Sequence, residues 1–154
     1  MWHYRRFVAL LPVALALVAV TALPPAQAAE PLVLAIGDPA GDHAEIIFSP
    51  EKKSERALTI RTVGVGVAGA RLQLSIDRSP LTLISKILSA DECRFGDAGS
   101  MCELTIPGES KLYMDIVYCF QLALAAHLTV ENAGVMAMSD SVSLRGFTAA
   151  YRRL

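Results

Sequence analysis

Charge is scarce in this chain, and nowhere is one sign concentrated. Asp, Glu, Lys and Arg make up 19% of the 154 residues, and the formal net charge is -1. No Lys/Arg cluster offsets that balance, which excludes a basic nucleic-acid-binding surface. Aromatic residues are few, at 6%, and the single tryptophan is Trp2. Exposed aromatic platforms are the usual means of holding a sugar ring, so their scarcity argues against glycan binding. Three cysteines and three histidines form no cluster with zinc-ligand spacing. The chain shows no internal repeat, no low-complexity linker and no L-P-x-T-G sorting signal. It ends at Arg152-Arg153-Leu154 without an apolar anchor.

Hydrophobicity is abundant instead. Apolar residues reach 53% and the mean hydropathy is +0.43. Much of the excess sits at the N-terminus. Arg5 and Arg6 precede Phe7–Leu23, where 15 of 17 residues are apolar, and Ala26-Gln27-Ala28 follows. A basic start, an apolar core and a small-x-small end predict a secretory signal peptide cut between Ala28 and Ala29. The rival reading is a retained membrane helix, but the run is at the short limit for a span and contains Pro12. Tyr4, Phe7 and Ala9 fit a twin-arginine signal poorly. Cleavage leaves 126 residues, enough for one core, and shifts the net charge to -3 because it removes two arginines and no acid.

The remainder reads as short strands. Leu32–Ile36 and Ala44–Phe48 flank the turn chemistry of Gly37-Asp38-Pro39 and Gly41-Asp42. Ser49–Arg56 is a polar connection. Ala57–Val67 is rich in β-branched residues, with Leu58, Ile60 and Thr62 on one face. Arg71–Asp77 alternates, with Leu72, Leu74 and Ile76 facing one way. Leu81–Leu88 fits a strand or a short helix. Met101–Ile106 predicts a strand and Pro107-Gly108 a turn. Lys111–Gln121 alternates again, with Leu112, Met114, Ile116 and Tyr118 opposite Tyr113, Asp115, Val117 and Cys119, and predicts a long strand. Ala123–Val130 and Val135–Leu144 supply the last strands, although Leu122–Leu128 also fits an apolar helix. Strands at this spacing predict an antiparallel sandwich.

Export makes disulfides possible. Three cysteines allow three single pairings. Cys93 and Cys102 are joined by a loop containing Gly96 and Gly99 and are the expected pair. Cys119 is then a free thiol acting as a small hydrophobe, or an intermolecular bridge.

Several motifs imitate chemistry. Gly64-Val65-Gly66-Val67-Ala68-Gly69 matches G-x-G-x-x-G, but a strand follows where dinucleotide binding needs a helix. Ser49-Pro50-Glu51-Lys52 matches S-x-x-K, with Ser139-Asp140-Ser141 a poor imitation of its S-D-N partner. In Gly96-Asp97-Ala98-Gly99-Ser100, an alanine stands where a trypsin-like loop has its nucleophile. His43 and His127 are the only histidines beyond the signal, and a triad needs one of them oriented by a carboxylate. Asp38, Asp42 and Glu45 lack a recognised calcium spacing and read as turn residues.

Three stretches between Leu58 and about Leu144 carry a resemblance. One is Thr62-Val63-Gly64 followed by Ala68–Asp77. The second is Cys93 with Cys102-Glu103-Leu104. The third is Ile106-Pro107-Gly108-Glu109-Ser110, a turn leading into a long strand. In this order they resemble bacterial extracellular immunoglobulin-like repeat domains of the CARDB type. Thr62 replaces an Asn of the pattern, Cys119 is extra, and Leu122–His127 stands where the family has a glycine-bearing hairpin. The resemblance implies a non-enzymatic adhesion or scaffold module and transfers no binding residues.

The expectation is therefore an all-β, antiparallel immunoglobulin-like sandwich behind a signal peptide. Residues 1–28 are the signal, 29–57 are N-terminal strands and a polar loop, and 58–154 are the sandwich, forming one domain with 29–57. The expected function is a secreted or cell-surface, non-catalytic binding or scaffold module of a bacterium. It needs no cofactor or metal, has an unknown protein or cell-envelope partner, and meets a membrane only if the signal helix stays uncut. The alternatives are a secreted hydrolase using His43 or His127, a protease-inhibitor-like protein presenting the Cys93–Cys102 loop, and a membrane-tethered protein.

Overall fold

The computed structural model describes residues 30–50, 56–77, 79–97 and 99–154. The predicted signal, with its Ala28–Ala29 cleavage point, lies outside these residues, as does most of the Ser49–Arg56 connection. No helix among the described residues is long and apolar enough to cross a membrane.

The alternating stretches form strands because one face of each can be buried without leaving main-chain groups unpaired. Along β1 (Leu32–Gly37), β2 (His43–Phe48) and β3 (Ala57–Val63), the even-numbered residues from Ile36 to Thr62 point inward. On β4 (Arg71–Ile76), Leu72 and Leu74 do the same. The ambiguous Leu81–Leu88 stretch lies in strand β5 (Ser79–Ile87). A 3-10 turn, Ala90–Glu92, leads into β6 (Cys93–Gly96), which doubles back as β7 (Gly99–Pro107). The chain closes with β8 (Ala125–Asn132) and β9 (Val135–Ser143), joined through Ala133 and Gly134, both at positive φ.

Every pairing is antiparallel. One sheet has the order β1-β2-β3-β7-β6 and the other β5-β4-β8-β9. Without β1 the first sheet reads A-B-E-D in immunoglobulin lettering and the second C′-C-F-G. The expected immunoglobulin-like sandwich is the observed fold, with β1 added at one edge. One apolar core runs between the sheets from Ile36 to Phe147, so residues 30–50 and the sandwich share it.

The expected strand at Lys111–Gln121 is a helix instead, α1 (Lys111–Leu122). Nine of the twelve residues there are apolar, so the stretch satisfies both periods. Burial shows which one applies: Tyr113, Ile116, Val117 and Phe120 face the core at helical spacing. Ser110 starts the helix by accepting the Tyr113 N–H on its hydroxyl, 3.1 Å away. The Ile106–Ser110 turn therefore leads into a helix, a departure from the resemblance, and Cys119 sits on α1. A second short helix, α2 (Phe147–Tyr151), was not expected from the pattern. Both helices close one end of the sandwich around Phe48. Its ring centroid lies 6.2, 6.0, 5.2 and 5.7 Å from those of Tyr113, Phe120, Phe147 and Tyr151.

Candidate binding surface

The two long flanks of the sandwich differ. On one, edge strand β1 lies beside edge strand β9, and the Met138 methyl packs over Gly37. On the other, β6 is only four residues long and covers β7 only as far as Cys102. Beyond that point, Leu104–Pro107 of β7 and the edge of β5 face each other across a groove of about 500 Å³. Its walls include Leu83 and Ile84 from β5, Leu104 and Ile106 from β7, and Leu112 at the start of α1. A second cavity of about 270 Å³ shares Leu83 and Leu112 and extends along α1 to Tyr118 and the half-buried free thiol of Cys119.

Of the seven aromatic residues after residue 28, five form the cluster around Phe48. The other two are exposed: Phe95 on β6 at 80% and Tyr118 on α1 at 63%. Phe95 shares a face of β6 with Cys93 and lies opposite buried Ser100, on the edge strand of this flank and on the turn side of the Cys93–Cys102 pair, away from the groove. Cys93 is disulfide-bonded to Cys102 directly across the hairpin, with Cα atoms 4.0 Å apart, as expected from the sequence. This bond pins the register beneath Phe95.

Several charges bordering this flank are paired. Lys86 bridges Glu92, and Lys111 bridges Asp115 one helical turn on. Burial pushes the Glu92 carboxyl up, but hydrogen bonds from Lys86 and Ser89 outweigh this and hold it below the usual carboxylate range. On the outer face of the β1-β2-β3-β7-β6 sheet, Arg61 bridges Glu103 at 2.7 Å and Glu45 at 3.1 Å, and Arg94 lies 3.7 Å from Glu103. The hydrogen bond to Glu103 is the largest influence raising the Arg61 pKa above its ordinary value.

The motifs that imitate chemistry take other places. Gly64 and Gly66 sit in the β3–β4 bend. Gly64 has φ +80, and a Cβ there would lie 2.0 Å from Asp42 Oδ1; one on Gly66 would lie 2.3 Å from Thr62 Oγ1. These glycines allow close chain packing, and no helix follows them. His43 Nδ1 lies 2.8 Å from the Gly41 carbonyl oxygen. His127 is flanked on its sheet by Ser75 and Ser141, far from His43 in the topology. The Ser141 N–H donates to its own neighbour Asp140. Ser139, Asp140 and Ser141 lie on edge strand β9, and Glu51 and Lys52 lie outside the described residues. Asp38 accepts the Ala40 N–H in a turn, and Glu45 belongs to the Arg61 pair. No three His, Cys, Asp or Glu side chains are grouped to hold a metal among the described residues. Gly96 and Gly99 close the β6–β7 turn.

The open flank was only partly foreseen. The sequence pointed to the Cys93–Cys102 loop, but Phe95 carried no signal beyond being an aromatic residue between two cysteines. The groove requires β6 to be short and Lys111–Leu122 to be helical. Comparison with protein-family models, curated proteins and solved structures returned no match.

Proposed function

We propose that the chain is a secreted or cell-surface, non-catalytic binding module of a bacterium, contacting a protein of the cell envelope through its open β5–β7 flank. The observation that carries the reading is the placement of Phe95 and Tyr118. In a chain with so few aromatic residues, both exposed ones lie along the flank whose sheet edges are uncovered. Exposed aromatic side chains beside an apolar groove are favourable anchors for a protein partner. The signal-like N-terminus supports export, and the likeness to CARDB-type domains agrees with a scaffold or adhesion role.

The test is site-specific photo-crosslinking from position 95 or 118 in the exported protein, with N-terminal sequencing of the same material. The expected result is an adduct with a discrete envelope protein and an N-terminus at Ala29. A hydrolytic activity that disappears when His43 and His127 are both substituted, with no adduct, overturns the reading. Retention of Met1 overturns the cleaved, secreted form in favour of a tethered one. The disulfide-clamped hairpin with exposed Phe95 favours one second reading, a protease-inhibitor-like protein. It is tested by inhibition of a secreted peptidase that is lost on Phe95→Ala.

A further inference from the structure

We propose that the groove between β5 and β7 takes an extended, uncharged segment of a partner protein, which adds to the β7 edge as a strand in line with β6. The inference rests on the binding-module reading above and names the chemistry of the partner.

The direction of the main-chain groups follows from the ladder itself. The Gly64 N–H donates to the Ser100 carbonyl oxygen at 2.8 Å, and the Gly108 N–H donates to that of Arg56 at 2.6 Å. These bonds bracket β7, so its even-numbered residues turn their N–H and C=O toward β3. Its odd-numbered residues turn theirs the other way. The short Cα separation of Cys93 and Cys102 agrees, since it marks a pair that exchanges no main-chain hydrogen bonds. Met101 therefore faces Arg94 of β6, while Glu103 and Thr105 face the side where no described strand lies beside them; Thr105 lines the groove, and Glu103 the adjoining cavity bordered by Asp91 and Glu92. The Pro107 carbonyl is already taken by the Ser110 N–H at 3.0 Å. Two residues thus offer two donors and two acceptors in strand geometry.

The protein's own chain shows what fits this edge. β6 occupies its first half as an antiparallel strand, entered from β5 through the 3-10 turn at Ala90–Glu92. A guest strand continues the same line. Its inward side chains meet Leu83, Leu104, Ile106 and Leu112, and period-two spacing lets alternate residues reach that apolar floor. The groove's lining holds one charged residue, Lys86, which Glu92 neutralises, and beside it Lys111 pairs with Asp115 and Glu103 with Arg61. An added charge would meet no free counter-charge among them, so the complementary segment is uncharged, with apolar residues at alternate positions.

The probe is a short, capped peptide alternating threonine and valine, added to the mature, disulfide-intact protein. Amide hydrogen exchange is read residue by residue. At ten times the dissociation constant, exchange at Glu103 and Thr105 slows by about tenfold. Thr105→Pro removes the edge N–H without touching the bonds to β3 and weakens binding by about tenfold. Leu112→Glu leaves the main chain alone, suits the first turn of α1, and weakens binding to a similar degree by placing a charge in the groove. Circular dichroism and the intact disulfide verify that both variants fold. Unchanged exchange at Glu103 and Thr105, or equal binding by both variants, overturns the inference, and so does protection confined to β1. Sedimentation that finds the groove filled by a second copy of this chain overturns the foreign partner. If position 95 crosslinks an envelope protein while the peptide test fails, the module reading stands and strand docking falls. If the peptide docks and no envelope protein is captured, the reverse holds.

Discussion

Tyr113 illustrates how much one buried hydroxyl can matter. Its side chain is 4% exposed, and its oxygen lies 3.0 Å from that of Tyr151. Burial, then the hydrogen bond to Tyr151, push its pKa well above the ordinary tyrosine value. In the unfolded chain a tyrosine ionises near pH ~10. Below that pH both states keep the proton and stability is level. Above it the unfolded state releases the proton first, so stability falls as pH rises. Denaturant midpoints measured from neutral pH into the alkaline range should show this fall, and Tyr113→Phe should make it shallower. Gly64 is the other residue with a single job. Gly64→Ala brings a Cβ against Asp42 at φ +80. It should cost at least about 1–2 kcal/mol, read from the same denaturant curves. A nucleotide added to either protein should leave its midpoint unmoved, because these glycines serve a bend.

The β6–β7 hairpin and α1 are the elements that set the open flank. The Cys93–Cys102 bond closes a short loop, with a sequence separation of 9. Its removal by Cys93→Ser with Cys102→Ser should destabilise by about 2.5–3 kcal/mol in the chain-entropy picture. Exchange should rise most in β6, the edge strand. Alkylation without reduction, followed by mass spectrometry, should label Cys119 alone. For α1 the decisive side chains are Tyr113, Ile116, Val117 and Phe120. A strand through the same residues would bury alternate positions and leave two of these four facing water. Ser110 caps this helix, but the apolar residues of Lys111–Leu122 fit a period of 2 as well as one of 3.6, so the sequence reads as a strand.

Over the whole molecule, Phe48 joins the two ends of the chain. It comes from β2, yet its ring meets Phe147 and Tyr151 of α2. Phe48→Ala should cost about 3–5 kcal/mol. If 30–50 and the sandwich form one cooperative unit, fluorescence and circular dichroism should report one coincident transition, displaced as a whole. Two transitions would show that the N-terminal strands unfold on their own. Much of this architecture was legible beforehand. Leu72, Leu74 and Ile76 on one side of Arg71–Asp77, and the cysteines flanking a glycine-bearing loop, are local patterns whose meaning does not depend on distant residues. Period-two alternation in Ala57–Val63 and Arg71–Ile76 determined a sheet with one buried face, and eight-residue spacing between Cys93 and Cys102 determined a bridgeable hairpin. The tertiary structure alone decided that Lys111–Leu122 is helical and that Glu103 and Thr105 lie on an edge no described strand covers. Both depend on what packs beside a segment. A run that fits two periods is settled by which face the core can bury, and an edge exists only where no neighbour arrives.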